Sequence, residues 1–415
     1  MKKIISFLMA AAIVFSMVCG SVVPAFAADE DEMATAQALA DNYDWEKFKG
    51  QDITLNVFNW GEYMSLGQED SMNVNKAFEE KTGIKVNYQT YDNNEAMYTK
   101  IKSGGAEYDI VIPSDYMIGK MINEDMLQKL DYSLIPNATL YIDQKFKGLE
   151  FDPNDEYSVP YTWGVVGIIY NKTMVNEPVD SWNILWDEDY AGNILMFGNS
   201  RDAFGIALLK NGLSVNPSSM EDIETAKQDL IAQKSVVQAY VNDEIFDKMG
   251  GNEAALAPYY SGDAITMIDD NPDLDFAVPK EGTNYFVDSI CILKDAKNVE
   301  AAHMYINFLC ETEVALANAE YIGYATPHTG AYEMLDDETK NNQIAYPSDE
   351  LLTNTQVFNT LPEDINTAMS DAWNEVRSYS ESGNTMLVPT LLVVAVVALV
   401  VINILRNKKK KKIDY

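Results

Sequence analysis

Residues 53–63 read ITLNVFNWGEY. Ile53, Leu55, Val57 and Phe58, with the β-branched Thr54 among them, suit a buried strand. Directly after it come Trp60, Gly61, Glu62 and Tyr63, two rings and a carboxylate at the strand's carboxyl end. In an open α/β sheet that edge is where ligands are held, and rings beside negative charge suit a small cation. An aromatic cluster that closes the end of the core accounts for the same residues.

Working outward, the pattern predicts a helix over 74–82 closed by Gly83, a strand over 84–91, a helix from Asn93 or Asn94 to Ser103, and a short apolar strand at 109–113. Strand, helix, strand, helix, strand is the signature of a mostly parallel sheet covered on both faces. Ser114 and Tyr116 follow the third strand and become neighbours of the first strand's end, although Ser114 also fits a helix N-cap. Residues 157–170, YSVPYTWGVVGIIY, read as two strand pieces joined through Trp163-Gly164 and crossing between lobes. Ser181, Trp182, Leu185 and Trp186 stand at helical spacing.

Four further places carry chemistry. Asn199 and Asp202 open a helix, either as a capping box or as a carboxylate turned to a cleft where it holds an ammonium group. Tyr259 to Asp263 form a polar-aromatic break between helical stretches. Asp288 stands alone inside the apolar run 285–293; a buried carboxylate needs a donor, and a ligand cation serves as well as an internal Arg or Lys. Tyr324, flanked by turn-formers, either faces the cleft or closes a loop. Helices are expected over 299–309, around 313–319 and over 361–379.

The ends differ from the middle. Residues 1–27 carry Lys2, Lys3, an apolar run and Ala25-Phe26-Ala27, the pattern of a secretory signal peptide; Val18 before Cys19 speaks against a lipoprotein site. Residues 28–51 are an acidic leader, with Trp45 and Phe48 as anchors on the domain surface. Residues 386–405 are apolar over the length of a membrane helix, and Arg406 and Lys408 to Lys412 make 406–415 a basic tail that stays in the cytoplasm. The expectation is a single-pass membrane protein with its folded part on the extracytoplasmic face.

The whole chain carries a net charge of −34, and 8 of its 30 basic residues (Lys2, Lys3, Arg406 and Lys408 to Lys412) lie in these two ends. Such an excess repels nucleic acid and attracts cations, although an acidic surface kept soluble by charge explains the bulk of it. His303 and His328 have no metal-ligand spacing, and no Ser/His/Asp or Cys/His set assembles, so neither metal nor cofactor is expected. Cys291 and Cys310 fit either a disulfide or two buried thiols.

Together these stretches resemble the spermidine/putrescine-binding proteins of ABC importers, from about residue 53 to 379. The resemblance rests on Asn59-Trp60-x-Glu62-Tyr63, Thr82-Gly83-Ile84-Lys85-Val86, Tyr108-Asp109-Ile110-Val111-Ile112-Pro113-Ser114, Tyr157-Ser158-Val159-Pro160-Tyr161-x-Trp163-Gly164, Ser181-Trp182, Pro279-Lys280-Glu281-Gly282, Asp288-Ser289 and Ile322-Gly323-Tyr324-x-Thr326-Pro327. It implies a two-lobed α/β periplasmic-binding-protein-like fold with hinge strands, with lobe 1 at 52–162 and 288–333, lobe 2 at 163–287 and 334–380, and a C-terminal transmembrane helix in addition. It also implies a polyamine ligand and two partners, a membrane permease and, through it, a cytoplasmic ATPase.

The ligand set implied is an aromatic box of Trp60, Tyr63, Tyr116, Tyr260, Phe286 and Tyr324, the acids Glu62, Asp202 and Asp288, and Ser114 as a polar contact. Asn199 stands where a second acid often accompanies Asp202. Tyr260 and Phe286 replace tryptophans, Gly61 replaces a small hydroxyl residue, and Phe358 takes the place of a late amide, with Gln356 close by. Three other readings compete: a receptor for another small cationic or neutral solute, a surface hydrolase using Glu62, Asp202 and Asp288, and an adhesin.

Overall fold

The computed structural model describes residues 30–104 and 107–380. The expected signal peptide at 1–27, membrane helix at 386–405 and basic tail at 406–415 lie outside the described residues. Among the described residues no helix is long and apolar enough to cross a membrane, and the expected membrane helix is not supported.

Among the described residues ten strands form one hydrogen-bonded system: β1 (Thr54–Trp60), β2 (Lys85–Tyr91), β3 (Ile110–Val111), β4 (Ser158–Asn171), β5 (Ile194–Phe197), β6 (Val237–Val241), β7 (Leu256–Tyr260), β8 (Leu274–Ala277), β9 (Thr283–Ile292) and β10 (Thr355–Gln356). The order is β2-β1-β3-β9-β4-β7-β5-β6, with β10 on β9 and β8 on β4. β1 pairs in parallel with β2 and β3, as β5 does with β6 and β7. β4 and β9 are antiparallel to each other, and β4 also to β7 and β8.

β1 alternates as a strand between two helix layers should: Leu55 and Val57 enter one cluster, while Phe58 enters another on the opposite face. Asn73 caps the helix Val74–Thr82 by accepting from the Lys76 N–H, and Gly83, at φ 78°, ends it in a left-handed conformation that costs glycine nothing.

Two large hydrophobic cores result. One contains Leu55, Val57, Ile110, Trp163, Ile290 and Tyr305; the other contains Ile168, Trp182, Phe197, Phe204, Leu256 and Val376. β4 runs through both, contributing Val159, Tyr161 and Trp163 to the first and Val166, Ile168 and Ile169 to the second. It is one unbroken strand of 14 residues, not two pieces. Gly164 does not break it because the glycine makes room: a Cβ there would stand 2.9 Å from the Phe286 ring.

Other expectations shift. The segment around Trp182 is a 3-10 helix, Trp182–Trp186, and Trp182 itself is fully buried with its indole N–H donating to the Gly282 carbonyl at 2.9 Å. The break at 259–263 is not between helices; it is the end of β7 and the start of the helix Ser261–Asp270. The leader forms the helix Glu30–Asp41, and Tyr43, Trp45 and Phe48 then pack on the first core. Cys291 and Cys310 are both buried and free.

Candidate ligand-binding site

The carboxyl ends of β1, β3, β5 and β7 converge where the two cores meet along β4 and β9. β1 delivers Trp60, and the turn after it delivers Glu62, whose φ of 46° is unusual for a residue other than glycine. β3 leads to Ser114 and Tyr116, β5 to Asn199 and Asp202, and β7 ends on Tyr260. Phe286 and Asp288 project from one face of β9, two residues apart. Tyr324 follows Gly323, the left-handed C-cap of the helix Thr312–Ile322.

Trp60, Glu62, Tyr63, Ser114, Tyr116, Asn199, Asp202, Tyr260, Phe286, Asp288 and Tyr324 all line one cavity of about 830 Å³, its mouth included. Local alternatives left open by the sequence resolve here. Ser114 occupies the N-cap position of the helix Asp115–Asn123, but its side chain makes no capping hydrogen bond. Asn199 does cap its helix, accepting from the Asp202 N–H at 2.9 Å, while the Asp202 carboxylate takes the Tyr260 hydroxyl instead.

Eight acids line the cavity (Glu62, Asp92, Glu95, Asp115, Asp202, Asp243, Asp263 and Asp288), and no Lys, Arg or His does among the described residues. Five of them each accept a tyrosine hydroxyl. Tyr63 donates to Asp288 at 2.6 Å, Tyr260 to Asp202 at 2.7 Å, Tyr324 to Asp263 at 2.9 Å, Tyr116 to Glu95 at 2.9 Å and, more weakly, Tyr321 to Glu62 at 3.5 Å. A neutral donor satisfies one oxygen without cancelling the charge. Burial therefore pushes the Asp202 and Asp288 carboxyls up to about 6, against the lowering effect of their tyrosine bonds, and pushes Asp263 up to about 8. Glu95 rises too, from burial first. Asp288 Oδ1 has no hydrogen-bond partner of good geometry among the described residues, although the adjacent Ser114 hydroxyl also lowers the Asp288 carboxyl. Arg201, a buried cation beside the cavity, lies over the Phe358 ring at 4.4 Å and donates to Asn216 and to the Asn359 carbonyl; its charge partly offsets the rise of Asp202, Glu95 and Asp115.

At the mouth the acids come from both cores. Glu62 and Asp92 follow β1 and β2, and Asp243 follows β6. Burial raises the Asp243 carboxyl, and the facing charges of Asp92 and Glu62 raise it further. Gly61 admits it: a Cβ at Gly61 would lie 2.7 Å from an Asp243 carboxylate oxygen.

The rings form a continuous wall. Tyr63 stands edge-on to Tyr324 at 4.9 Å, Tyr324 is 6.1 Å from Phe286, Phe286 is 5.4 Å from Tyr260, and Tyr260 is 5.1 Å from Phe197. Trp60 extends it beyond Tyr63. Tyr324 owes its place to Gly262, where a Cβ would overlap the ring at 2.0 Å. Gly262→Ala is expected to cost about 1 to 3 kcal/mol of stability by overpacking and to break the Tyr324–Asp263 bond, seen as a lowered melting temperature with weakened ligand binding.

Sequence reasoning gave no ligand role to Asp263, noticed only as part of the break at 259–263, nor to Asp92, Glu95, Asp115 and Asp243. Asp92 follows β2 directly and Asp243 comes two residues after β6, so the strand-end rule that picked Glu62 was available for them. Asp263 and Glu95 sit in the first turns of helices, where acids are ordinary, and only their distant tyrosines mark them.

Comparison with known proteins agrees with this geometry. Residues 73–347 match the model of the family described as bacterial extracellular solute-binding protein. The chain is 38% identical over 304 residues to the spermidine/putrescine-binding periplasmic protein of Escherichia coli, covering 72% of this chain and 85% of that one. Among solved structures it is similar to a putative spermidine/putrescine ABC transporter protein from Listeria monocytogenes, with 40% identity, a TM-score of 0.75 and coverage of 79% of this chain and 99% of the other. It is also similar to the spermidine/putrescine ABC transporter substrate-binding protein of Streptococcus pneumoniae, with 38% identity, a TM-score of 0.67 and the same coverage. An α/β fold of the periplasmic-binding type, an acid-lined cavity between two cores and these matches lead to one conclusion: the chain belongs to the bacterial extracellular solute-binding protein family, whose members bind solutes and are not enzymes.

Proposed function

We propose that this protein captures a linear polyamine, spermidine or putrescine, and hands it to an ABC permease driven by a cytoplasmic ATPase. One observation carries the ligand: eight acids and a wall of rings share a cavity that no basic side chain lines among the described residues. A thin polycation answers both features, its ammonium groups on carboxylates and ring faces and its methylenes between rings. The names of the similar proteins from E. coli, L. monocytogenes and S. pneumoniae support the same ligand class.

In this reading the residues around the first core, 52–162 with 288–333, and those around the second, 163–287 with 334–380, are two lobes that close over the ligand, with β4 and β9 as the hinge strands. Closure brings the ring wall and the mouth acids to the ligand from both sides. The folded part faces outward, and the apolar stretch 386–405, a reading from sequence alone, would keep it beside its permease.

A melting-temperature screen tests the ligand class, because a molecule that binds only the folded state raises its stability. Putrescine or spermidine should raise the melting temperature; quaternary amines, sugars and amino acids should not. A shift with one of those and none with polyamines would assign the cavity to a different solute. Trp60→Ala should weaken polyamine binding by roughly 3- to 30-fold in a calorimetric titration, from the lost ring face.

A further inference from the structure

Asn284 belongs to no ligand set considered so far. It lies on β9 two residues before Phe286 and four before Asp288, so strand alternation puts all three on one face, and all three line the cavity. It is 5% exposed, and its Oδ1 has no hydrogen-bond partner among the described residues. Asp202 and Phe358 stand with it both at the main cavity and at a smaller one behind. Leaving a buried amide oxygen unpaired is costly, and a folded chain tolerates it where something else completes the bond.

We propose that the Asn284 carboxamide is a further ligand-contacting and specificity-determining group, its oxygen accepting a hydrogen bond from an ammonium N–H at the Asp202 end of the cavity; this rests on the polyamine reading above. β9 then offers the ligand two unpaired acceptors on one face, Asn284 Oδ1 and Asp288 Oδ1, four residues or about 13 Å apart along the strand. Phe358 supplies a ring between the cavity and Arg201 but no acceptor, and Asn284 fills that lack from the neighbouring strand.

The test compares wild type, Asn284→Leu and Asn284→Asp in calorimetric titrations with spermidine and in thermal unfolding without ligand. Leucine removes the acceptor while filling the space. The expected result is a loss of affinity of roughly 5- to 15-fold in Asn284→Leu, with the ligand-free melting temperature unchanged or raised, because an unpaired buried amide is replaced by an apolar group of similar shape. Asn284→Asp, which keeps an acceptor, should bind at least as tightly as wild type at pH 8. Unchanged affinity in Asn284→Leu overturns the proposal, as does an affinity loss matched by a fall in ligand-free stability, the mark of a structural role. Failure of the wild type itself to bind spermidine would overturn the polyamine reading and this proposal together.

Discussion

Asp288→Asn is expected to lower polyamine affinity by about 3 kcal/mol, roughly 100-fold, while making the ligand-free protein more stable. The two effects have one cause. Asp288 is 5% exposed, accepts one hydroxyl from Tyr63, and its other oxygen has only the neighbouring Ser114 hydroxyl nearby, so no cation among the described residues pairs its desolvated charge. A charge-assisted hydrogen bond to such a group in a closed, dry cavity is worth far more than one in water, and truncating one partner of a buried charge pair typically costs 2 to 5 kcal/mol.

The gain in stability follows from linkage. The Asp288 carboxyl sits at about 6 in the folded protein against 3.8 as its ordinary value, so the folded state holds its proton more tightly. Its stabilising contribution is complete below about pH 4 and is lost as pH rises through 6, a cost of up to about 3 kcal/mol by pH 8. Asparagine does not titrate. Thermal unfolding without ligand should therefore show the variant above wild type at pH 8, with the gap closing by pH 5. A variant less stable than wild type at pH 8 would mean that Asp288 is held by a partner other than Tyr63.

The second large effect is the pH dependence of binding in the wild type. A protonated carboxyl offers an ammonium group no charge. Asp202 and Asp288 both sit at about 6 and Asp263 at about 8, so all three must lose protons to take a polycation. The ligand keeps at least two ammonium charges over this range, and the sign is set by the protein: affinity rises with pH. Two groups near 6 alone give roughly a 100-fold gain from pH 5 to pH 8. Protons are released on binding between these limits, so the measured heat should vary with the ionisation enthalpy of the buffer. A flat profile would place the ammonium contacts on the mouth acids instead of the deep ones.

Much of this site is legible in the chain because its parts are local. The strand ending in Trp60-Gly61-Glu62-Tyr63 and the lone acid at Asp288 each announce themselves within ten residues, through alternation and the cost of burying charge. The expected helix over 299–309 is the helix Val299–Leu309 of the structure, since its apolar face repeats at helical spacing. What escaped depends on partners far away. Asp263 is an ordinary first-turn acid until Tyr324, 61 residues later, donates to it. Asn284 looks like a strand-edge residue until the fold denies its amide a partner. Gly164 reads as a break because glycine weakens strands, and only the Phe286 ring beside it shows that the space is needed. Propensity reports the chain's own neighbours; a site between two cores is written mostly in the others.

Buried carboxylates that no basic side chain faces across the cavity among the described residues, set against a wall of rings, are what the polyamine reading stands on. Calorimetric titration of the protein at pH 8 with spermidine and with putrescine shows whether they take a linear polycation. One-to-one binding at micromolar affinity or tighter, about −8 kcal/mol or better, is expected for at least one of them. No heat and no stabilisation with any polyamine would overturn the reading.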